Sequence, residues 1–103
     1  MSQANPHFVA LVASFHSTAM MQLGKIANPM TGKAERDLPG VKETIDLLGM
    51  LKEKTNGNLA EEESRFLDHV LYELRINYVE ESQNPASGVS DRGAGTSSGD
   101  PTN

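Results

Sequence analysis

The sequence contains no cysteine and no tryptophan among its 103 residues, and aromatic residues make up only 5% of it. The absence of cysteine excludes disulfide bonds, thiolate metal ligands and thiol catalysis. A chain without cysteine suits a reducing compartment, and we expect a cytoplasmic location.

Basic residues are also few, with 9 lysines and arginines against 14 acidic residues and a net charge of −5. They form no basic cluster that could follow a phosphate backbone, so we expect no nucleic-acid partner. No apolar run approaches the roughly 18 to 20 residues that span a bilayer. The first residues lack the basic segment of a signal peptide, and we expect a soluble chain with no membrane partner.

The sequence does contain three amphipathic segments, which predict an all-α fold. Asn5-Pro6 is typical of a helix start, and helix 1 is predicted over about residues 6–23. Asp37 is the predicted N-cap of helix 2, over about residues 38–54.

Helix 3 is predicted over about residues 59–80. We expect Asn58 to be its N-cap, with Glu61 completing a capping box. The short joint around Gly57 predicts that helices 2 and 3 form an αα-hairpin.

The composition divides the chain into residues 1–81, a helical domain, and residues 82–103, a Ser/Gly/Pro-rich tail that we expect to be disordered. A domain of this size buries only about 60 to 65% of its unfolded surface. A second copy would add to that burial, and we expect a homodimer.

The apolar side chains of helix 1 cover about half of its circumference, which is more than one neighbouring helix needs. We therefore expect two copies to share a bundle built from helix 1 and part of helix 2. Helix 3 has a second, thinner apolar line away from its core-facing stripe, formed by Tyr72, Ile76 and Val79. The predicted interface comprises Phe8, Leu11, Val12, Phe15, His16, Met20, Tyr72 and Ile76.

The segment between helices 1 and 2 is long for a connection in a compact domain, and long loops often carry function. The candidate partner loop comprises Asn28, Pro29, Met30, Thr31 and Gly32. Met30 either folds back with Ile26 over the end of the helical hairpin or contacts another protein. The second possibility is the functional one, with another cytoplasmic protein as the partner.

No catalytic motif is present, so enzymatic activity is uncertain and we lean against it. We predict no catalytic residues, no cofactor and no metal ligands. His16 falls within the apolar arc of helix 1, where it is either a core-edge histidine with one hydrogen-bond partner or a pH-sensitive contact between subunits. The acidic run Glu61 to Glu63 could bind a divalent cation, but the helix dipole favours such a run in any first turn.

Several blocks together resemble a small bacterial family described as domain of unknown function 1844, over about residues 8–80. They are Leu23-Gly24, Asn28-Pro29 with Thr31-Gly32, Ile45-Asp46-Leu47-Leu48, Glu53 to Leu59, and Glu73-Leu74-Arg75. The resemblance implies a bacterial origin and a helical architecture, and it brings no catalytic residues. Ala60 departs from the family pattern, which has a threonine there.

These observations predict a non-enzymatic cytoplasmic protein-interaction or scaffold protein that acts as a small helical homo-oligomer. The alternative is an enzyme or small-ligand binder whose site forms at the subunit interface near His16 and Met20. An enclosed polar pocket at that interface would favour the alternative, whereas a dry apolar seam would favour the scaffold.

Overall fold

The computed structural model describes residues 3–84 and 90–91. Within them the chain forms three helices and two short strands: α1 (Pro6–Gln22), β1 (Glu35–Arg36), α2 (Leu38–Lys54), α3 (Glu61–Ser82) and β2 (Ser90–Asp91). The two strands pair in parallel over two residues. The predicted all-α, three-helix unit is confirmed. Residues 85–89 and 92–103, which hold most of the tail predicted to be disordered, lie outside the described residues.

The starts of α1 and α2 are the predicted ones. The Asn5 side chain accepts a hydrogen bond from the His7 N–H at 2.8 Å, which caps α1. The Asp37 carboxylate does the same for α2, accepting from the Gly40 N–H at 3.1 Å. Each cap satisfies a backbone donor that the first helical turn leaves unpaired.

The predicted start of α3 is wrong by two residues. Its N-cap is Ala60 rather than Asn58, and alanine has no side-chain acceptor. Glu63 compensates, because its Oε1 accepts the Ala60 N–H at 2.7 Å and supplies one half of a capping box. Asn58 belongs to the preceding turn, where its N–H donates to the Thr55 carbonyl at 2.8 Å.

The helices α2 and α3 form the predicted hairpin, and α1 packs against both of them. Gly57 lies between α2 and α3 with a φ of 88°, in the left-handed region that glycine favours. The core contains apolar side chains from all three helices and from the residue that follows α1. Its buried members are Val12, Ala19, Leu23, Val41, Ile45, Leu48, Leu67, Val70, Leu71 and Leu74.

The two ends of the segment between α1 and α2 are joined by backbone contacts. Leu23 and Arg36 form an antiparallel bridge, and the Asp37 N–H donates to the Gln22 carbonyl at 2.6 Å. The Gln22 side chain then accepts a hydrogen bond from the Thr44 hydroxyl at 2.9 Å, which joins the end of α1 to the side of α2. The long loop is therefore closed at its base and projects from one end of the helical unit.

Candidate interaction site

The outer face of α3 has a line of apolar side chains that is turned away from the core. Tyr72, Ile76 and Val79 are 66%, 39% and 50% exposed, respectively. We call these three residues the α3 strip. Together with Arg75 and Glu80 they line a shallow groove of about 380 Å³. The core-facing side of the same helix buries Leu67, Val70, Leu71 and Leu74, so α3 has two apolar faces and only one of them is covered within the described residues.

The neighbouring helices lie on either side of the α3 strip. On one side the Lys52 ammonium of α2 pairs with the Asp68 carboxylate at 2.7 Å. On the other side His16 of α1 lies 3.1 Å from a carboxylate oxygen of Glu73. These two contacts lie on the two sides of α3, and the α3 strip forms a ridge on the outside between them.

Arg75 lies on the α2 side of this ridge. Its guanidinium is next to Gly49, where an added β-carbon would lie 3.8 Å from Nη2. Arg75, Gly49, Lys52, Glu53 and Asn56 line a second groove of about 500 Å³, between α2 and α3. The two grooves share Arg75, so an apolar surface and a polar surface meet at this side chain.

Most of the predicted interface residues of α1 pack against the core of their own chain. Val12 is fully buried, and Phe8, Phe15 and Met20 pack partly buried against the core. Leu11 is the most accessible of the predicted apolar residues on this helix, at 44% exposure. The wide apolar arc of α1 is therefore divided between two neighbours in the same chain, α2 and α3.

Among the described residues, His16 has one close side-chain partner, as the simpler interpretation predicts. Its Nε2 lies 3.1 Å from Glu73 Oε1, and both side chains are about one-third exposed. His69 approaches the same oxygen at 3.9 Å from one turn earlier on α3. The pH-sensitive contact between subunits, and the alternative of a ligand site near His16 and Met20, need a second copy and stay predictions.

The candidate partner loop is a closed turn with an apolar tip. The Asn28 N–H donates to the Lys33 carbonyl at 2.8 Å, and the Gly32 N–H donates to the Asn28 carbonyl at 2.7 Å. The Asn28 side chain also accepts from the Met30 N–H at 2.8 Å, which fixes the first half of the turn. Met30 nevertheless remains 90% exposed, so its side chain does not fold back over the end of the helical hairpin, whereas Ile26 is 46% exposed.

Two buried acidic residues hold the ends of α3, and one of them has a partner that no sequence pattern indicates. At the C-terminal end, Glu81 contacts Arg36 at 3.4 Å and Lys25 at 2.9 Å. The Arg36 guanidinium, in a side chain that is 3% exposed overall, also donates to the Glu81 carbonyl at 3.2 Å and to the Asn84 carbonyl. Arg36 and Glu81 are 45 positions apart, and no local pattern predicts the pairing.

At the N-terminal end, Glu63 does more than cap its own helix. Its second oxygen, Oε2, accepts the Asn5 N–H at 2.7 Å, and Glu62 accepts the Ala4 N–H at 3.0 Å. The acidic run thus accepts hydrogen bonds from backbone N–H groups at the starts of two helices, α3 and α1. The structural interpretation of Glu61 to Glu63 accounts for these contacts without a cation.

The family model described as Domain of unknown function (DUF1844) matches residues 5–80. The chain belongs to this family. The DUF1844 match includes the whole α3 strip and the partner loop, and it ends one residue before Glu81. The resemblance predicted from the sequence is confirmed over nearly the same range.

No curated protein and no solved structure matches the chain. In the part of the DUF1844 chain that the structure describes, none of the helices combines the length and the apolar character needed to cross a bilayer. Residues 3–84 and 90–91 also contain no group of three histidine, aspartate or glutamate side chains placed to hold a metal ion.

Proposed function

We propose that this DUF1844 protein is a non-enzymatic protein-interaction or scaffold protein of the bacterial cytoplasm that works as a small helical homo-oligomer. The α3 strip carries the proposal. Three apolar side chains lie together on a helix face opposite the core, and covering them with a protein would remove their apolar surface from water, which is favourable. Tyrosine is enriched among the residues that dominate protein interfaces, and apolar side chains three and four residues apart anchor helix-mediated contacts.

The partner loop supports a second contact with another cytoplasmic protein. An exposed methionine adapts its shape to varied surfaces, because the side chain is unbranched and flexible. The backbone that carries Met30 is held by the hydrogen bonds of Asn28, so the side chain is presented at a defined place. The α3 strip and the partner loop would allow one copy to bind a second copy and a different protein at the same time.

Multi-angle light scattering of the full chain over a wide concentration range tests the self-association. We expect the apparent mass of the wild type to rise towards that of a dimer as concentration increases. The variant Ile76→Asp should stay a monomer, because a carboxylate in the middle of the α3 strip would have to lose its water on pairing.

Leu47→Asp is the matched control, since Leu47 on α2 is 37% exposed and Ile76 is 39% exposed. It should associate like the wild type. A wild type that remains monomeric at every concentration would overturn the homo-oligomer, and a monomeric Leu47→Asp with a dimeric Ile76→Asp would move the contact from α3 to α2.

A further inference from the structure

We propose that two copies pair through α3 with the helices parallel and in register, so that Arg75 of each copy faces Glu80 of the other. This inference rests on the proposed self-association and specifies its geometry. It follows from the spacing of the α3 strip and from the charges that border it.

The α3 strip has the spacing of a coiled-coil seam. Tyr72, Ile76 and Val79 are separated by four and then three residues, which is the alternation of core positions in a heptad. At about 100° per residue they fall within an arc of about 60°. Arg75 and Glu80 lie about 40° outside that arc, on opposite sides, at the positions that carry interhelical ion pairs in coiled coils.

Arg75 and Glu80 also differ from the other charged residues along the ridge. Arg75 is positively charged and Glu80 is negatively charged. Among the described residues, neither forms an ion pair within the chain. Asp68 and Glu73 occupy the same two bordering positions one heptad earlier, and each has a partner within the chain, Lys52 and His16 respectively. Arg75 and Glu80 are therefore the bordering charges available to a second copy.

The symmetry of the pair decides which charges meet. A two-fold axis parallel to the helices places each border of the ridge against the opposite border of the second copy, which brings Arg75 towards Glu80 twice. It also brings Asp68 towards Glu73 twice, a like-charge contact, but each of these carboxylates has a partner within its own chain. A two-fold axis perpendicular to the helices places each border against itself. If the middle of the α3 strip lies on that axis, Arg75 of one copy faces Arg75 of the other, and Glu80 faces Glu73 of the other. Opposite charges attract and like charges repel, so the parallel arrangement is favoured.

The ridge is short, which sets the strength of the pairing. From Tyr72 to Val79 the helix rises only about 10 Å. A seam of that length buries less than the roughly 1,200 to 2,000 Å² of a stable interface. We therefore expect a concentration-dependent equilibrium rather than a permanent dimer.

Single cysteines test the orientation, since the natural sequence contains none. In the parallel pair, Tyr72 lies against Tyr72 and Val79 lies against Val79. The variants Tyr72→Cys and Val79→Cys should therefore each form a disulfide-linked dimer on mild oxidation, visible on a non-reducing gel. Lys42→Cys is the control for random collision, because the Lys42 side chain is 64% exposed and lies on α2.

Charge reversal provides a second readout on the same full chain. Arg75→Glu and Glu80→Arg should each raise the dissociation constant of the dimer by about five- to thirty-fold, because two attractions become two repulsions. The double variant should return to within about threefold of the wild type. Lys54→Glu, at an exposed lysine of α2 outside the proposed seam, should have little effect.

Cross-linking of Tyr72→Cys and Val79→Cys with themselves, together with rescue in the double charge variant, supports the parallel pair. Cross-linking only in a mixture of the two cysteine variants would overturn it in favour of an antiparallel pair, while the proposed self-association would stand. Cross-linking no faster than that of Lys42→Cys would also overturn it. A wild type that is monomeric at every concentration would overturn both proposals.

Discussion

The two glycines of α2 lead to opposite predictions for the same substitution. Gly40 lies in the first turn, where a β-carbon would be 2.7 Å from Gln22 Nε2 and closer still to Asp37 Oδ2. Both neighbours have structural roles, because Asp37 caps the helix and Gln22 accepts the Thr44 hydroxyl. A β-carbon at Gly49 would meet only Arg75 Nη2, at the ordinary contact distance of 3.8 Å.

The magnitudes follow from these contacts. Replacing glycine by alanine inside a helix stabilises it by up to about 1 kcal/mol. At Gly40 the new methyl group displaces the Asp37 cap, which is worth about 1 kcal/mol, and the Gln22 hydrogen bond, which is worth about as much again. We expect Gly40→Ala to lower the free energy of unfolding by about 1 kcal/mol and Gly49→Ala to raise it by about 0.5 to 1 kcal/mol.

Urea unfolding followed by circular dichroism at one fixed protein concentration measures both variants against the wild type. Their difference of about 2 kcal/mol corresponds to about 8 to 16 °C in Tm for a domain of this size. A Gly40→Ala variant as stable as Gly49→Ala would refute the prediction, because α2 would then begin without the crowded contact at Gly40.

The two ends of α3 yield further predictions. Arg36→Ala should lower the free energy of unfolding by about 3 kcal/mol, because it leaves the buried Glu81 carboxylate with only Lys25. Lys25→Ala should cost about 1 kcal/mol or less, because the Lys25 ammonium is partly exposed to water and Arg36 still pairs with Glu81. Equal losses from these two variants in thermal unfolding would show that Arg36 does not hold this end. Glu63→Gln should cost about 1 to 3 kcal/mol in urea unfolding, because its amide NH₂ must face one of two backbone donors, and Glu62→Gln should be nearly neutral. A Glu63→Gln variant as stable as the wild type would contradict the role of Glu63 at the two helix starts.

Much of the fold can be predicted from local sequence signals. Asn5 with Pro6, and Asp37 with Pro39, identify the starts of α1 and α2, because each side-chain acceptor directly precedes an amphipathic segment and proline is tolerated in the first helical turn. The predicted start of α3 is wrong because two positions have the spacing of a capping box: Asn58 lies three residues before Glu61, and Ala60 lies three residues before Glu63. Only the folded chain shows that Glu63, held also by Asn5, determines the true start.

The candidate site could be predicted only in part. The α3 strip is visible in the sequence because its residues recur at helical spacing away from the core-facing stripe. The assignment of Val12 to an interface depends on how many neighbours α1 has, and the spacing of apolar residues does not determine that number. Nothing in the sequence indicates the role of Arg36, since its partner Glu81 is 45 residues away and ion pairs at such distances follow no local pattern.

The Glu63 and Arg36 contacts hold α3 at both of its ends, and this has a consequence for the entropy of association. A helix that ordered only on binding would lose backbone freedom at about 1 to 2 kcal/mol per residue. Here the backbone is already fixed, so beyond the translational and rotational freedom that any association costs, the proposed pairing would cost only the freedom of the exposed side chains, at about 0.5 to 1.5 kcal/mol each. A ridge of three apolar residues is small, and its prior ordering would make the proposed association of so small a surface less costly.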